Sequence, residues 1–226
     1  WYHASNDPIT TIVLPIMLCP SAPTQRDLPP TSLYSALTGN SRTDQPRWGY
    51  SDYSSINAVR NSAFQIAGLP SLGTREVLGA LGRGPDGVRL SAISDGLSNT
   101  ALIAEGAGRP TIYISGRKSA NPDTGAASGL MVTKDGWGWA DINAGFSIDG
   151  SNPQGLQNST STAGVVTMRG SCMLNCTNDS EIYAFHTGGA HFVLADGSTQ
   201  YISSNVNPVS LVALMTRDMG DIVGEY

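Results

Sequence analysis

The sequence predicts an α+β fold: mainly antiparallel strands and one short C-terminal helix, in a single β-rich globular domain over residues 1–226. Three observations predict it. Charged residues make up only 14% of the chain, while glycine contributes 26 residues and proline 13. That balance suits strands and turns better than a helical bundle, whose exposed faces need Glu, Lys and Ala. The run AHFVLA-DG-STQYIS, residues 190–203, has the two-residue alternation of a hairpin, with Phe192 and Leu194 on one face and Val193 on the other. Asp196-Gly197 at its middle predicts a tight two-residue turn with positive backbone dihedrals. Finally, Asn207-Pro208 reads as an N-cap followed by proline at the first helical position, opening a helix over about 208–217. Val209, Val212, Ala213 and Met215 give that helix an apolar stripe, and Gly220 lies just past its end.

The remaining elements follow in chain order. Residues 10–18 form an apolar run that reads as a buried strand, although Pro15 interrupts it. Prolines at 20, 23, 29 and 30 then impose an irregular surface loop. Residues 53–66 read as a short helix or a packed loop. Leu90 and Ile93 fit one helical turn, with Gly96 ending it in the left-handed region. Residues 100–105 continue as an apolar strand, and Asp95, Ser98 and Asn99 are placed to bond local backbone in the turn before it. Residues 106–180 are rich in Gly, Ser, Asn and Thr and carry the Asp135-Gly136 and Asp149-Gly150 pairs. Short strands joined by turns are the natural reading there, with 165–168 among them.

Composition also excludes partners. Net charge is −5 and no basic run exceeds the Arg117-Lys118 pair, so the electrostatic footprint of a nucleic-acid or anionic-lipid binder is missing. No stretch approaches the roughly 20 apolar residues that span a bilayer. With 40% hydrophobic residues the chain is expected to collapse rather than remain disordered. It opens at Trp1 with no initiating Met or signal peptide, which suggests an upstream segment. Of its three cysteines, Cys172 and Cys176 lie four apart and can close a small loop. A Cys19–Cys176 bridge and three free thiols are the other possibilities, and any bridge implies an oxidising compartment.

The run from Phe185 through His186, Thr187, Gly188, Gly189 and Ala190 leads into an apolar strand and then Asp196-Gly197-Ser198. Upstream, Asp95-Gly96-Leu97-Ser98-Asn99-Thr100 is followed by Glu105, and Leu18-Cys19-Pro20-Ser21 stands near the start. Asn175-Cys176-Thr177 and the run from Thr216 to Asp221 complete the set. In this order and spacing the chain resembles the planctomycete prepilin-like proteins of unknown function, with their C-terminal His-x9-Asp-Gly motif. Ala22 stands where that family's Leu-Cys-Pro-Ser signature continues with Asp. The resemblance implies a pilin-like β-rich globular domain that follows a prepilin cleavage site and a long apolar helix, the helix being absent from this chain.

Several residues invite a chemical role. His186 and Asp196, with Ser198 or Ser203, have the residue types of a hydrolytic triad, but no strained nucleophile turn accompanies them. The simpler reading is a buried His186 bonded to backbone and an Asp196 that serves the turn. His191 is expected to face solvent or a neighbouring strand, and three histidines at unrelated positions are poor support for a transition-metal site. Asp141, Asn143 and Asp149 cluster oxygen ligands suited to Ca2+, or else cap turns. Trp137 and Trp139 would share a strand face, as core if buried or as a stacking platform for a sugar or partner subunit if exposed. Glu105 reads as a strand end that can be buried against Arg89. The motif residues Asp95, Gly96, Asn99, Thr100, His186, Gly188, Gly189, Asp196 and Gly197 are read as structural. The expectation is a non-enzymatic extracellular subunit, pilin- or pseudopilin-like, that self-associates or joins other pilin-like subunits, with no cofactor beyond possible Ca2+. A secreted carbohydrate- or solute-binding module around Trp137 and Trp139 is the alternative, and a hydrolase centred on His186 comes third.

Overall fold

A computed structural model of the chain describes residues 1–33, 42, 44–45, 47–82, 87–120, 132–133 and 136–220. Asp135 and Asp221, each part of a motif named above, lie outside the described residues. The strands run in chain order as β1 (Tyr53–Val59), β2 (Val77–Leu78), β3 (Ala101–Glu105), β4 (Tyr113–Ile114), β5 (Arg117–Lys118), β6 (Phe146–Ile148), β7 (Ser159–Thr160), β8 (Val166–Thr167), β9 (Gly189–Leu194) and β10 (Thr199–Ser203). Helices α1 (Asp7–Thr10), α2 (Asn61–Ile66) and α3 (Pro208–Met215) accompany them. The class is α+β with mainly antiparallel pairing, as predicted. Among the described residues no helix is long and apolar enough to cross a membrane.

The main sheet has the order β10-β9-β3-β1-β2, all antiparallel, and β6 pairs with β1 in parallel. Side chains alternate as a two-residue period requires. Ile56 on β1, Ala101 and Ala104 on β3, Phe192 and Leu194 on β9 and Ile202 on β10 are buried on the inner face. An irregularity between Ala101 and Ile103 inserts Leu102 into β3, a bulge that keeps both Ala101 and Ala104 pointing inward. Helix α3 packs on this face beside α2, and its side chains from Ser210 to Met215 are all buried. Each large apolar side chain so covered stabilises the fold by roughly 1.5–3 kcal/mol.

The local readings fare unevenly. Asn207 caps α3 by accepting from the Val209 N–H at 2.9 Å, but the helix stops at Met215 and Gly220 is not its cap. Its buried surface is wider than a stripe, and Val209, expected on that stripe, is exposed. The hairpin forms where predicted, with Phe192 and Leu194 inward. Its loop, however, has three residues, because Leu194 and Ser198 are the last bonded pair. Only Gly197 takes a positive φ, at 86°, which is the glycine bulge that completes a three-residue hairpin. Residues 53–66 are a central strand followed by α2, not a helix or loop throughout. Gly96, at φ 100° and ψ 137°, is extended in ψ and opens a 3-10 turn rather than closing a helix. The bridge among the three possibilities is Cys172–Cys176, with Cα atoms 6.2 Å apart, and Cys19 is a buried free thiol.

The largest departure is residues 10–18. Here α1 and a 3-10 turn at Pro15–Met17 replace the expected strand, and Ile12, Val13 and Ile16 are exposed. Proline at position 15 removes a ladder donor, so the segment lies over the sheet instead of joining it. Asp52, just before β1, fastens it there. The Asp52 N–H donates to Met17 O at 2.8 Å, and its carboxylate accepts from the N–H of Cys19 at 3.0 Å and of Gly108 at 2.9 Å. Arg26 completes the arrangement with a 2.8 Å ion pair whose two side chains are 2% and 0% exposed.

Two outcomes are expected. Asp52→Ala leaves the buried Arg26 guanidinium, still bonded to Pro23 O and Arg109 O, without its counter-ion and two N–H groups without their acceptor, and is expected to lose roughly 3–5 kcal/mol in denaturant unfolding; a loss below about 1 kcal/mol would show that the pair does not hold the segment. Glu181 provides a pH test. Its buried carboxyl accepts from the N–H groups of Asp149 and Gly150 at 3.0 and 2.8 Å, and burial, with nearby Asp149 adding to it, pushes it well above the usual range. A raised carboxyl contributes stability that is full below about pH 4.3 and is lost as pH rises through the folded value. Glu181→Gln should therefore gain on the native protein as pH increases, whereas a pH-independent difference in denaturant midpoint would refute this.

Candidate functional site

β3 ends at Glu105, whose side chain is wholly buried although it sits on the outer face of the sheet, paired with Tyr53 on β1. One carboxylate oxygen, Oε2, accepts from the His191 backbone N–H at 2.7 Å and lies 3.4 Å from His191 Nδ1. The other, Oε1, lies 3.1 Å from His186 Nε2, and that same nitrogen is 3.5 Å from Cys19 Sγ. Ligand-capable atoms of Cys19, Glu105 and His186 all fall within 4.8 Å of one another. The His186 and His191 rings meet edge to face at 4.8 Å, and Tyr201 closes the row at 5.0 Å from His191.

Each side chain is delivered by backbone the sequence shapes locally. Cys19 is set by its N–H bond to Asp52. Residues before His186 run alongside the end of β3: Tyr183 N–H donates to Glu105 O at 2.8 Å and Ala107 N–H to Tyr183 O at 2.9 Å. Asn175, held at φ 63°, accepts from the Ala184 N–H and donates to Gly189 O, bracing both sides of His186. Gly189 is required because a Cβ there would lie 2.2 Å from Ile202 O and 2.8 Å from the Tyr201 ring. Tyr201 Oη donates to Thr187 O at 2.6 Å, and Ser204 bonds Gly188 O. Burial pushes the Cys19 thiol up, with the Glu105 and Asp52 carboxylates adding to it, and burial raises the Tyr53 phenol to about 12.

This arrangement corrects three expectations. His186 is a quarter exposed and pairs with Glu105 rather than with backbone. Glu105 is buried against His186 and His191, not against Arg89, which is exposed. Two of the three histidines converge with a cysteine and a carboxylate, so their positions are not unrelated. Asp196, by contrast, serves the turn as expected, accepting from Ser198 N–H and Oγ. A relay triad needs one imidazole nitrogen for the nucleophile and the other for the acid; here Cys19 and Glu105 share Nε2.

The other singled-out residues occupy structural positions. Asp95 accepts from the N–H groups of Met219 and Gly220, while Asn99 donates to Asp95 O and Thr100 to Gly96 O. Ala195 N–H bonds Thr100 O and Asp196 N–H bonds Leu97 O, so this motif and the Asp196-Gly197 turn brace one another. Asp141 accepts from the N–H groups of Gly136 and Asn143, whereas Asp149 accepts from Ser62 and pairs with Arg60, so the two carboxylates have separate partners. Trp137 is fully buried and stacked on Trp48 at 4.9 Å. Trp139 sits in a turn instead of sharing a strand face with it, and its Nε1 donates to Ile12 O.

Beside the Cys19–Glu105–His186 cluster the outer face of the sheet is open. A groove of about 660 Å³ runs over the cross-strand row Ser55, Ile103, Val193 and Thr199, walled by Ile16, Met17, Leu81 and Trp139 and ending at Tyr53 and His191.

No curated protein and no solved structure is detectably similar to this chain. A family model labelled SBP_bac_10 matches residues 1–209 and therefore nearly all of the elements just described, including Cys19, Glu105, His186 and His191. The chain belongs to that family, described as "Protein of unknown function (DUF1559)".

Proposed function

We propose that this chain is a non-enzymatic extracellular structural subunit, a pilin- or pseudopilin-like component of a surface filament that works by self-association or by joining other pilin-like subunits. The observation that carries the reading is the apolar groove across the outer face of the main sheet. Ile16 at its wall is 83% exposed, and Ile9, Ile12 and Val13 continue the exposed apolar surface along the same segment. Connected apolar surface of this kind marks a contact with another protein or with a ligand. The pilin resemblance supplies the occupant: an apolar helix needs to bury its stripe on another layer, and an open sheet face offers one. The Cys172–Cys176 bridge supports an oxidising, extracytoplasmic setting.

One observation favours a second reading, an extracellular carbohydrate- or solute-binding module. The groove volume of about 660 Å³ falls within the roughly 300–1,000 Å³ of small-molecule pockets, and Trp139 lines it. Its lining is predominantly aliphatic and aromatic, which suits an apolar solute better than a sugar.

Negative-stain microscopy of the protein from its native source, with intact mass on the same sample, tests the subunit reading. Filaments built from this chain are expected. Ile103→Glu, which places a carboxylate on the groove floor, is expected to abolish them while leaving the unfolding free energy of the isolated chain within about 1 kcal/mol of the native value. Dispersed particles from the native source, or filaments undisturbed by Ile103→Glu, would overturn it.

A further inference from the structure

We propose that Cys19, Glu105 and His186 form a site for a divalent transition metal of borderline softness, with Zn2+ the best fit. The donor set carries the choice of metal: one sulfur, one imidazole nitrogen and one carboxylate oxygen suit zinc, whereas Ca2+ and Mg2+ take oxygen alone. The spacing carries the geometry. Tetrahedral coordination with bonds of about 2.3 Å to sulfur and about 2.0–2.2 Å to nitrogen and oxygen puts the sulfur and nitrogen about 3.5 Å apart, and the nitrogen and oxygen about 3.4 Å apart. The corresponding separations here are 3.5 Å for Cys19 Sγ to His186 Nε2 and 3.1 Å for His186 Nε2 to Glu105 Oε1.

The same three groups also bond to one another when no cation is bound. His186 Nε2 meets both Glu105 Oε1 and Cys19 Sγ, and the Cys19 thiol also bonds to the Glu105 carboxylate. A cation bound by all three would replace the protons that these bonds share, with one lone pair from each atom and the Cys19 thiol deprotonated. The outer contacts are those that orient metal ligands: His191 donates its backbone N–H to the other oxygen of Glu105, and Asp52 accepts from the N–H of Cys19. Three protein ligands leave one coordination position for a solvent-derived ligand, and His186 also lines a cleft of about 340 Å³ that gives access to it.

The ligands come from three chain segments, so the metal acts first as a staple. It ties the segment carrying Met17 and Cys19 to the end of β3 and to the strand-like run before β9. Met17, Tyr53 and His191 also line the apolar groove, and the metal therefore fixes one end of that groove. This site does not depend on the filament reading, since metal content and assembly are measured separately.

The test uses the whole chain, stripped with a chelator and kept without reductant, so that Cys172–Cys176 stays closed and Cys19 is the free thiol. Titration with Co2+ is expected to give a thiolate-to-cobalt charge-transfer band that one equivalent of Zn2+ abolishes. Cys19→Ser should remove the band and weaken Zn2+ binding by more than about 100-fold. His186→Gln, at a partly exposed position, should weaken it comparably with an unchanged circular dichroism spectrum. His191→Gln, which keeps the backbone N–H bond to Glu105 but removes the imidazole 3.4 Å from the same oxygen, should keep the band and weaken binding by no more than roughly 10-fold. Absence of the band in the native chain, or Zn2+ binding by folded His186→Gln as tight as native, would overturn the proposal.

Discussion

Two carboxylates held away from water at one end of the sheet govern much of this structure. Asp52 precedes β1 and Glu105 ends β3, and both are fully buried. A buried carboxylate costs several kcal/mol unless partners compensate it, so the chain must bring groups to both. Asp52 collects Arg26 and two backbone N–H groups, which brings residues 17–26 over the sheet and holds the 106–108 turn. Glu105 collects two histidines and the backbone of β9, which sets where β9 begins and draws the run before it alongside β3. The irregular parts of the molecule thus take their positions from charge compensation, and the inner face of the sheet from apolar burial.

That division explains why the outer face is half covered. At the carboxylate end, polar contacts hold the segment carrying Cys19 and the run carrying His186 on the sheet. Farther along the strands, the row Ser55, Ile103, Val193 and Thr199 holds no charge to attract loops. Prolines at 15, 20 and 23 keep the overlying segment from pairing as a strand and extending the sheet. The result is an apolar groove with one polar, tightly bonded end.

How much of this was legible in the sequence depended on the range of the interaction. The β9–β10 hairpin, the α3 cap at Asn207 and the strand ending at Glu105 rest on alternation, capping and turn residues within about a dozen positions, and all three could be read. Even the error in the hairpin loop was local: Asp-Gly fits a two-residue turn, but the inward register of Leu194 against Ser198 requires three residues with Gly197 as the bulge. β1 is not legible locally because polar Ser54, Ser55 and Asn57 dilute its pattern, and its strand character comes from central pairing with three neighbours. The apolar run at 10–18 departs for the opposite reason: hydrophobicity predicts burial, yet Ile16 is 83% exposed.

The Cys19–Glu105–His186 cluster lay beyond local reading altogether. His186 is 81 positions from Glu105 and 167 from Cys19, and no spacing rule spans such separations. The resemblance motifs nonetheless contained them: one residue from the Leu-Cys-Pro-Ser run, one following the Asn-Thr strand entry, and one at the head of the His-x9-Asp-Gly motif. Read singly, each motif explains a turn. Brought together, they place one sulfur, one nitrogen and one oxygen within 4.8 Å of one another, which turn formation does not require. Asp95, Asn99, Thr100, Asp196 and Gly197 of the same motifs are consumed by backbone hydrogen bonds, so the chemistry-bearing residue of each motif stands apart from its structural ones. A site recognised by what its neighbours leave unexplained is a stronger basis for chemistry than any of the three residues taken by itself.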